Sequence, residues 1–209
     1  MGFIVGLSGI DGSGKTTVAM MVVEKLRQRG EKVTYHHELD FMLLVPMFRF
    51  FSRLVGGRQA ENVKDNFLSG SNQSRRIYAD LYYFIVWLDN LIGYAYFKLK
   101  RGVIIHDRWP YDILAIFEWR QYRNRLIEKL LGSFPRPDAL LLLTVPAEVA
   151  MERKKSDPHE WHQTLDFYQT IERRISDMAR KFRYDGVIDA TAPPEEVAGR
   201  ILALVAGLR

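Results

Sequence analysis

Gly9-Ile10-Asp11-Gly12-Ser13-Gly14-Lys15-Thr16, near the beginning of the 209-residue chain, is the stretch whose reading decides the fold. It satisfies G-x-x-x-x-G-K-[ST] at every position, the pattern of a loop that cradles phosphate. Its surroundings agree. Phe3-Ile4-Val5-Gly6-Leu7 reads as a buried strand, and from Lys15 to about Arg29 the spacing of Val18, Met21, Val22, Lys25 and Leu26 is helical, with Gly30 as the stop. Glycines at 9, 12 and 14 let the backbone turn tightly and approach phosphate oxygens without a Cβ in the way. The amide N–H groups then face inward at the positive end of a helix, where an anion is stabilised. Lys15 supplies a mobile cation to the β- and γ-phosphates, and the Thr16 hydroxyl is placed to sit on Mg²⁺. The alternative, an ordinary Gly-rich turn before a helix, explains neither the lysine nor the threonine. The loop alone does not separate a GTPase, an ATPase motor and a small-molecule kinase. The chain has no Asn-Lys-x-Asp guanine-reading run, and its length leaves little for a motor beyond the core.

Outward from the loop, four further apolar segments read as buried parallel strands: Lys32–His36, Val103–His106, Ala139–Thr144 and Val187–Asp189. Helical patterns separate them. That alternation predicts an α/β fold with a five-stranded parallel sheet covered by helices on both faces, a three-layer arrangement. The longest predicted helix, about Ser74 to Lys100, is aromatic almost all round, with Tyr78, Tyr82, Tyr83, Phe84, Trp87, Tyr94, Tyr96 and Phe97. Such a helix is either buried core or a subunit interface. Pro110 opens another helix, and three more are expected at about Glu148–Lys155, Leu165–Phe182 and Pro194–Leu208. No composition break marks a second domain, so residues 1–209 are read as one.

The third strand ends in Asp107-Arg108. Strand C-terminal ends face the ligand crevice of open α/β sheets. An Asp there can hold a Mg²⁺-bound water or an acceptor hydroxyl, and an Arg there can bridge the transferred and accepting phosphates. A surface pair capping the next helix is the competing account.

Composition limits the rest. With 47% apolar and 26% charged residues the chain has the make-up of a globular domain with a core. Cysteine is absent, which excludes disulfides, zinc fingers and thiol chemistry. The net charge of +5 and pI of about 9.4 suit an anionic ligand, but the basic residues are dispersed and no nucleic-acid motif accompanies them. The most membrane-like stretch, Ile77 to Phe97, contains Asp80 and Asp89, and the N-terminus lacks the pattern of a signal peptide. The expectation is a cytoplasmic protein with no membrane or nucleic-acid partner.

Several runs resemble the thymidylate kinase family. Gly9 through Thr17, with its inserted Asp11, is similar to that family's phosphate loop. Gly102 through Arg108 resembles its strand ending in Asp-Arg-Tyr, with Trp109 in the place of Tyr. Arg136-Pro137-Asp138, Leu140–Leu143, Val145-Pro146 and Glu148 to Arg153 resemble its Pro-Asp, strand, Pro and Leu-Glu-Arg run, and Val187 to Ala190 with Glu195-Glu196-Val197 its last strand and helix. The likeness runs from Phe3 to about Leu204 and implies strand order 2-3-1-4-5, a homodimer, and ATP with Mg²⁺ acting on a nucleoside monophosphate, dTMP above all. It implies an ATP site of Gly9, Asp11, Gly12, Ser13, Gly14, Lys15, Thr16, Thr17 and Arg153. Lys15, Asp107 and Arg108 would be catalytic, Thr16 and Asp107 would hold the metal, and a short lid would lie at about residues 153–163.

The acceptor side departs from the family. Ser8 stands where an acidic residue is expected, Glu38 alone remains of an Arg-Glu-Pro run, Trp87 falls where a phosphate-gripping Arg is expected, and Ile175 where a Tyr is. Arg49 and Arg53 are therefore the candidates to grip the acceptor phosphate beside Arg108, with Asp11, Glu38 and Trp87 completing the acceptor set. A kinase of a nucleoside, sugar or other small alcohol, and a slow nucleotide-dependent switch, remain as alternatives. His36 and His37, adjacent on a strand, point to opposite faces and do not form a metal site. A zinc site at Asp157, His159 and His162 is likewise not favoured.

Overall fold

The computed structural model describes residues 1–37, 44–47, 73–155 and 163–209. Glu38, Arg49, Arg53 and the 156–162 part of the expected lid lie outside the described residues, as do Asp157, His159 and His162. In chain order the elements are β1 (Phe3–Ser8), α1 (Lys15–Gln28), β2 (Val33–His37), α2 (Gln73–Leu99), β3 (Val103–Asp107), α3 (Asp112–Trp119), α4 (Arg125–Gly132), β4 (Ala139–Thr144), α5 (Ala147–Lys155), α6 (Leu165–Lys181), β5 (Gly186–Asp189) and α7 (Pro194–Leu208).

The five strands form one parallel sheet in the order β2-β3-β1-β4-β5, as expected. Both faces are covered, and the strand side chains divide between them with period two. Val5, Leu7, Val103, Ile105, Leu141 and Leu143 face a core made with Val18, Val22 and Leu26 of α1 and Val197, Ile201 and Val205 of α7. Ile4, Ile104 and Leu140 face the other side, against Phe97, Trp109, Tyr111 and Phe134. Next to that cluster, Leu142 packs with Ala150, Tyr168, Ile171 and Ile175 from α5 and α6. Burial on both faces is why the inner strands β1, β3 and β4 are apolar runs rather than alternating ones.

The strand and helix boundaries move by a residue or so from those expected, with two larger differences. The single helix expected after Pro110 is two, α3 and α4. Gln121 takes a left-handed φ of 50°, and the Asn124 side chain caps α4 by accepting from Leu126 N at 3.0 Å and Ile127 N at 3.3 Å. The aromatic helix α2 is not buried all round. Ala79, Tyr83, Val86 and Phe97 lie on a buried face, whereas Ile77, Leu81, Phe84, Ile92, Tyr96 and Leu99 are exposed. No described helix is long and apolar enough to cross a membrane.

The sheet order positions the site. β1 and β3 are neighbours, yet the chain leaves β1 toward β2 at one edge and leaves β3 toward β4 on the other side. This is a topological switch point, where a crevice opens beyond the strand ends. The phosphate-loop motif follows β1 and Asp107-Arg108 follows β3, with Leu7 opposite Asp107 in the register. Gly102 makes the sharp entry to β3. Its φ is 104°, and a Cβ there would stand 2.1 Å from Lys32 O.

Candidate active site

The loop between β1 and α1 is held by its own backbone. Ser13 N donates to Ile10 O at 3.1 Å, and Val18 N starts the helix on Gly14 O at 3.0 Å. Gly12 has φ 84°, and a Cβ would lie 2.4 Å from Ala150 O of α5, so only glycine lets the loop lie this close to that helix. Lys15 curls back over the loop and is almost wholly buried. Its Nζ donates to Gly9 O at 2.9 Å and Ile10 O at 2.8 Å. Burial, reinforced by the neighbouring Arg108 charge, pulls the Lys15 pKa down to about 8, although Asp11, Asp107 and Asp112 oppose the shift.

Two contacts join the loop to the end of β3. Thr16 Oγ1 donates to Asp107 Oδ2 at 2.6 Å. The Arg108 guanidinium forms an ion pair with Asp11. Burial alone would raise the Asp11 pKa, but Arg108 and then Lys15 outweigh it and hold the carboxyl at about 2. Arg108 itself has φ 79°, an uncommon conformation for a residue that carries a Cβ and one that costs of order 1–3 kcal/mol. It is over-determined by its surroundings: Arg108 N donates to Leu7 O at 2.9 Å, and Arg108 O meets His106 Nδ1 at 2.8 Å.

Asp107 is buried, and β2 contributes two further groups to it. Tyr35 OH donates to Asp107 Oδ2 at 3.0 Å, and His37 Nε2 stands 4.0 Å away. Neither was singled out from the sequence for this role. Their period-two placement on the β2 end that pairs with β3 was the available signal, but it needed the strand order to be useful. His36, on the opposite face, packs in tilted and edge-on contact with Phe97 at 4.8 Å and His106 at 4.7 Å between ring centroids, so the two histidines do point apart.

Other expected residues fall nearby. Arg153, on α5, donates to Gly12 O at 3.3 Å and to Ala190 O at 3.2 and 3.3 Å, bridging the loop to the turn after β5. Ser13 is buried in the loop, and Thr17 is exposed on the first turn of α1. Trp87 is partly buried on α2, packed against the Tyr83 and Trp109 clusters and stacked on Phe84 at 6.0 Å, and its Nε1 has no hydrogen-bond partner among the described residues.

The donor set suits Mg²⁺. A hydroxyl and a carboxylate, both hard oxygen ligands, converge at one point beside the phosphate loop, and Mg²⁺ is commonly bound by one or two such groups with water and substrate phosphate. Chemically, the arrangement can bind a nucleoside triphosphate through the loop amides and Lys15 and present Arg108 to the transferred group.

The family model for thymidylate kinase matches residues 7–201. A probable thymidylate kinase of Pyrococcus abyssi is 30% identical over 98% of this chain and 96% of its own length. Probable thymidylate kinases of Thermococcus kodakarensis and Sulfurisphaera tokodaii are 29% and 24% identical, covering 97% and 98% of the chain and 96% of their own lengths. With a phosphate loop joined to an Asp-Arg strand end on a 2-3-1-4-5 sheet, and a match along nearly the whole length, the chain belongs to the thymidylate kinase family and is a phosphotransferase.

Proposed function

We propose that the chain, acting as one kinase domain in the cytoplasm, transfers the γ-phosphoryl group of ATP to dTMP, giving ADP and dTDP. The observation that carries this reading is the meeting of the loop and the β3 end, Thr16 with Asp107 and Asp11 with Arg108, at the switch point of the sheet. The loop amides from Gly9 to Thr16 receive the donor phosphates, with Thr17 beside them. Lys15 leaves its two carbonyl partners and follows the charge on the β- and γ-phosphates. Arg108 spans the transferred and accepting phosphates, and Asp11 holds it there and orients the acceptor. Thr16 would hold Mg²⁺ directly and Asp107 through water; when bound, the ion neutralises charge on the two phosphates. Arg153 packs on the donor side. Because phosphoryl transfer needs little covalent help, positioning and preorganised charge do most of the work.

The acceptor side is proposed to comprise Glu38, Arg49, Arg53 and Trp87, with Arg108. Trp87 offers an aromatic surface, and the arginines supply the charge that a tryptophan cannot. The exposed apolar stripe on α2, from Ile77 through Leu81, Phe84 and Ile92 to Leu99, suits a two-fold contact with a second copy, so a homodimer is proposed.

The test is a coupled ADP-release assay with ATP and a panel of nucleoside monophosphates, thymidine and sugars. Preference for dTMP is expected. Arg49→Ala or Arg53→Ala should raise the KM for dTMP tenfold or more, about 1.4 kcal/mol. Phosphorylation of thymidine or a sugar with dTMP ignored would overturn the acceptor assignment and leave both arginines outside the site.

A further inference from the structure

Beneath the phosphate loop lies a polar group that the reaction as described does not use. Asp112 opens α3 and is 1% exposed. Its carboxylate accepts from the Ser8 hydroxyl, and Ser8, the last residue of β1, is 0% exposed. Tyr184, from the turn before β5, donates to Ser8 Oγ at 3.3 Å. Burial first, and then the adjacent Asp112 carboxylate, push the Tyr184 pKa up, so this hydroxyl stays protonated. A buried carboxylate is costly unless its environment uses its charge. Here it sits next to the root of the loop, in contact with Ser8.

We infer that Asp112 is a positioning residue for phosphoryl transfer: through Ser8 its carboxylate ties the root of the phosphate loop to the Asp107-Arg108 turn and sets where Arg108 meets the phosphates. The inference rests on the proposed function. The connection from Asp112 to Arg108 is short and stiff. Between them lie Trp109, 1% exposed and wedged among Tyr94, His106 and Phe134, then Pro110 with its fixed φ, then Tyr111, whose hydroxyl donates to Phe134 O at 2.6 Å. Asp112 N donates back to Trp109 O at 2.9 Å. Arg108 holds its left-handed conformation through contacts with Leu7 O and His106. Leu7 and Ser8 are consecutive, so one end of β1 grips the turn at two points: by backbone at Leu7 and by side chain at Ser8. Releasing Asp112 leaves Arg108 tied at the first point alone.

A role confined to folding would lower stability and scale turnover with the folded fraction. The positioning role makes a different prediction, read by kcat and KM for ATP and dTMP together with thermal melts. Asp112→Asn keeps the shape and should cut kcat roughly 10- to 100-fold, with both KM values within about threefold of wild type. In an Arg108→Ala background the same change should cost less than about threefold, because the residue acts through Arg108. The reciprocal pair Ser8→Asp with Asp112→Ser restores one carboxylate and one hydroxyl in contact and should recover kcat to within about tenfold of wild type, while Asp112→Ser alone should not. Wild-type kcat in Asp112→Asn overturns the inference, as does an equal loss with and without Arg108. If Asp112→Asn fails to fold, the Ser8→Ala variant, which leaves the carboxylate in place, decides: an unchanged kcat overturns the inference and a selective loss supports it. If wild-type protein ignores dTMP, the acceptor assignment fails by itself, and the same cycle is read on the acceptor that is used or on ATP hydrolysis.

Discussion

Lys15→Met tests the electrostatics of the loop most directly, because the change removes charge and keeps much of the shape. In the structure Lys15 is a buried cation whose pKa falls from 10.5 to about 8, chiefly through burial and secondarily through Arg108. At about 1.4 kcal/mol per pKa unit, folding disfavours its charged form by roughly 3 kcal/mol. Against this stand its hydrogen bonds to Gly9 O and Ile10 O, each carbonyl costing about 1–3 kcal/mol if left unpaired. At pH 7 the terms nearly offset, so Lys15→Met should change the stability of nucleotide-free, metal-free protein by no more than about 2 kcal/mol. The pH dependence is sharper. A lysine with a lowered folded pKa is protonated in the unfolded chain and neutral in the folded one between pH 8 and 10.5. The unfolded state binds more protons there, so wild type gains stability as pH rises through that window. The Met variant has no such group. Urea unfolding of both proteins at pH 7 and pH 10 should therefore show the difference moving by roughly 2–3 kcal/mol in favour of wild type. Transfer should fall at least about 10²-fold in the variant. A stability difference that is the same at both pH values would refute a strained buried charge at Lys15, and near-normal turnover would refute its place in the phosphate site.

Three further outcomes are expected. Asp107→Asn keeps an oxygen for Thr16 and Tyr35 but loses the charge, so kcat should drop by about 10² or more with little change in ATP affinity; a collapse of ATP binding in titration calorimetry would make Asp107 structural instead. Gly12→Ala places a Cβ 2.4 Å from Ala150 O in a left-handed backbone, a strain of roughly 1–2 kcal/mol before any clash, so ATP affinity should weaken tenfold or more and Tm should fall; unchanged affinity would show that the loop need not lie against α5. Leu81→Glu with Ile92→Glu charges the exposed face of α2 and should convert a dimer to monomer in analytical ultracentrifugation without loss of Tm; a wild-type monomer at high micromolar concentration removes the two-fold contact.

The local chemistry of this protein was legible in its sequence. The phosphate loop, its strand and its helix follow from residue types at fixed spacing, because glycines, a lysine and a threonine act over eight consecutive positions. The three inner strands, β1, β3 and β4, were legible as apolar runs because they are buried on both faces, whereas the edge strands β2 and β5 are only partly buried. The break between α3 and α4 was not read from the sequence: one helix was expected after Pro110, and the turn at Gln121 and the Asn124 cap of α4 emerged from the structure.

What joins across the chain was decided by the tertiary structure. Thr16 meets Asp107, Asp11 meets Arg108 and Ser8 meets Asp112 across about 90 to 100 residues, and Tyr35 reaches Asp107 from a neighbouring strand. Periodicity states which face of a strand a residue occupies; it does not state which strand lies alongside. That depends on the order β2-β3-β1, set by how the crossovers pack. The faces of α2 were hidden for a related reason. Its apolar residues run nearly all round, so the sequence contains no polar side to mark solvent, and only packing against Phe117, Leu131 and Trp109 chose which stripe was buried and which was left outside.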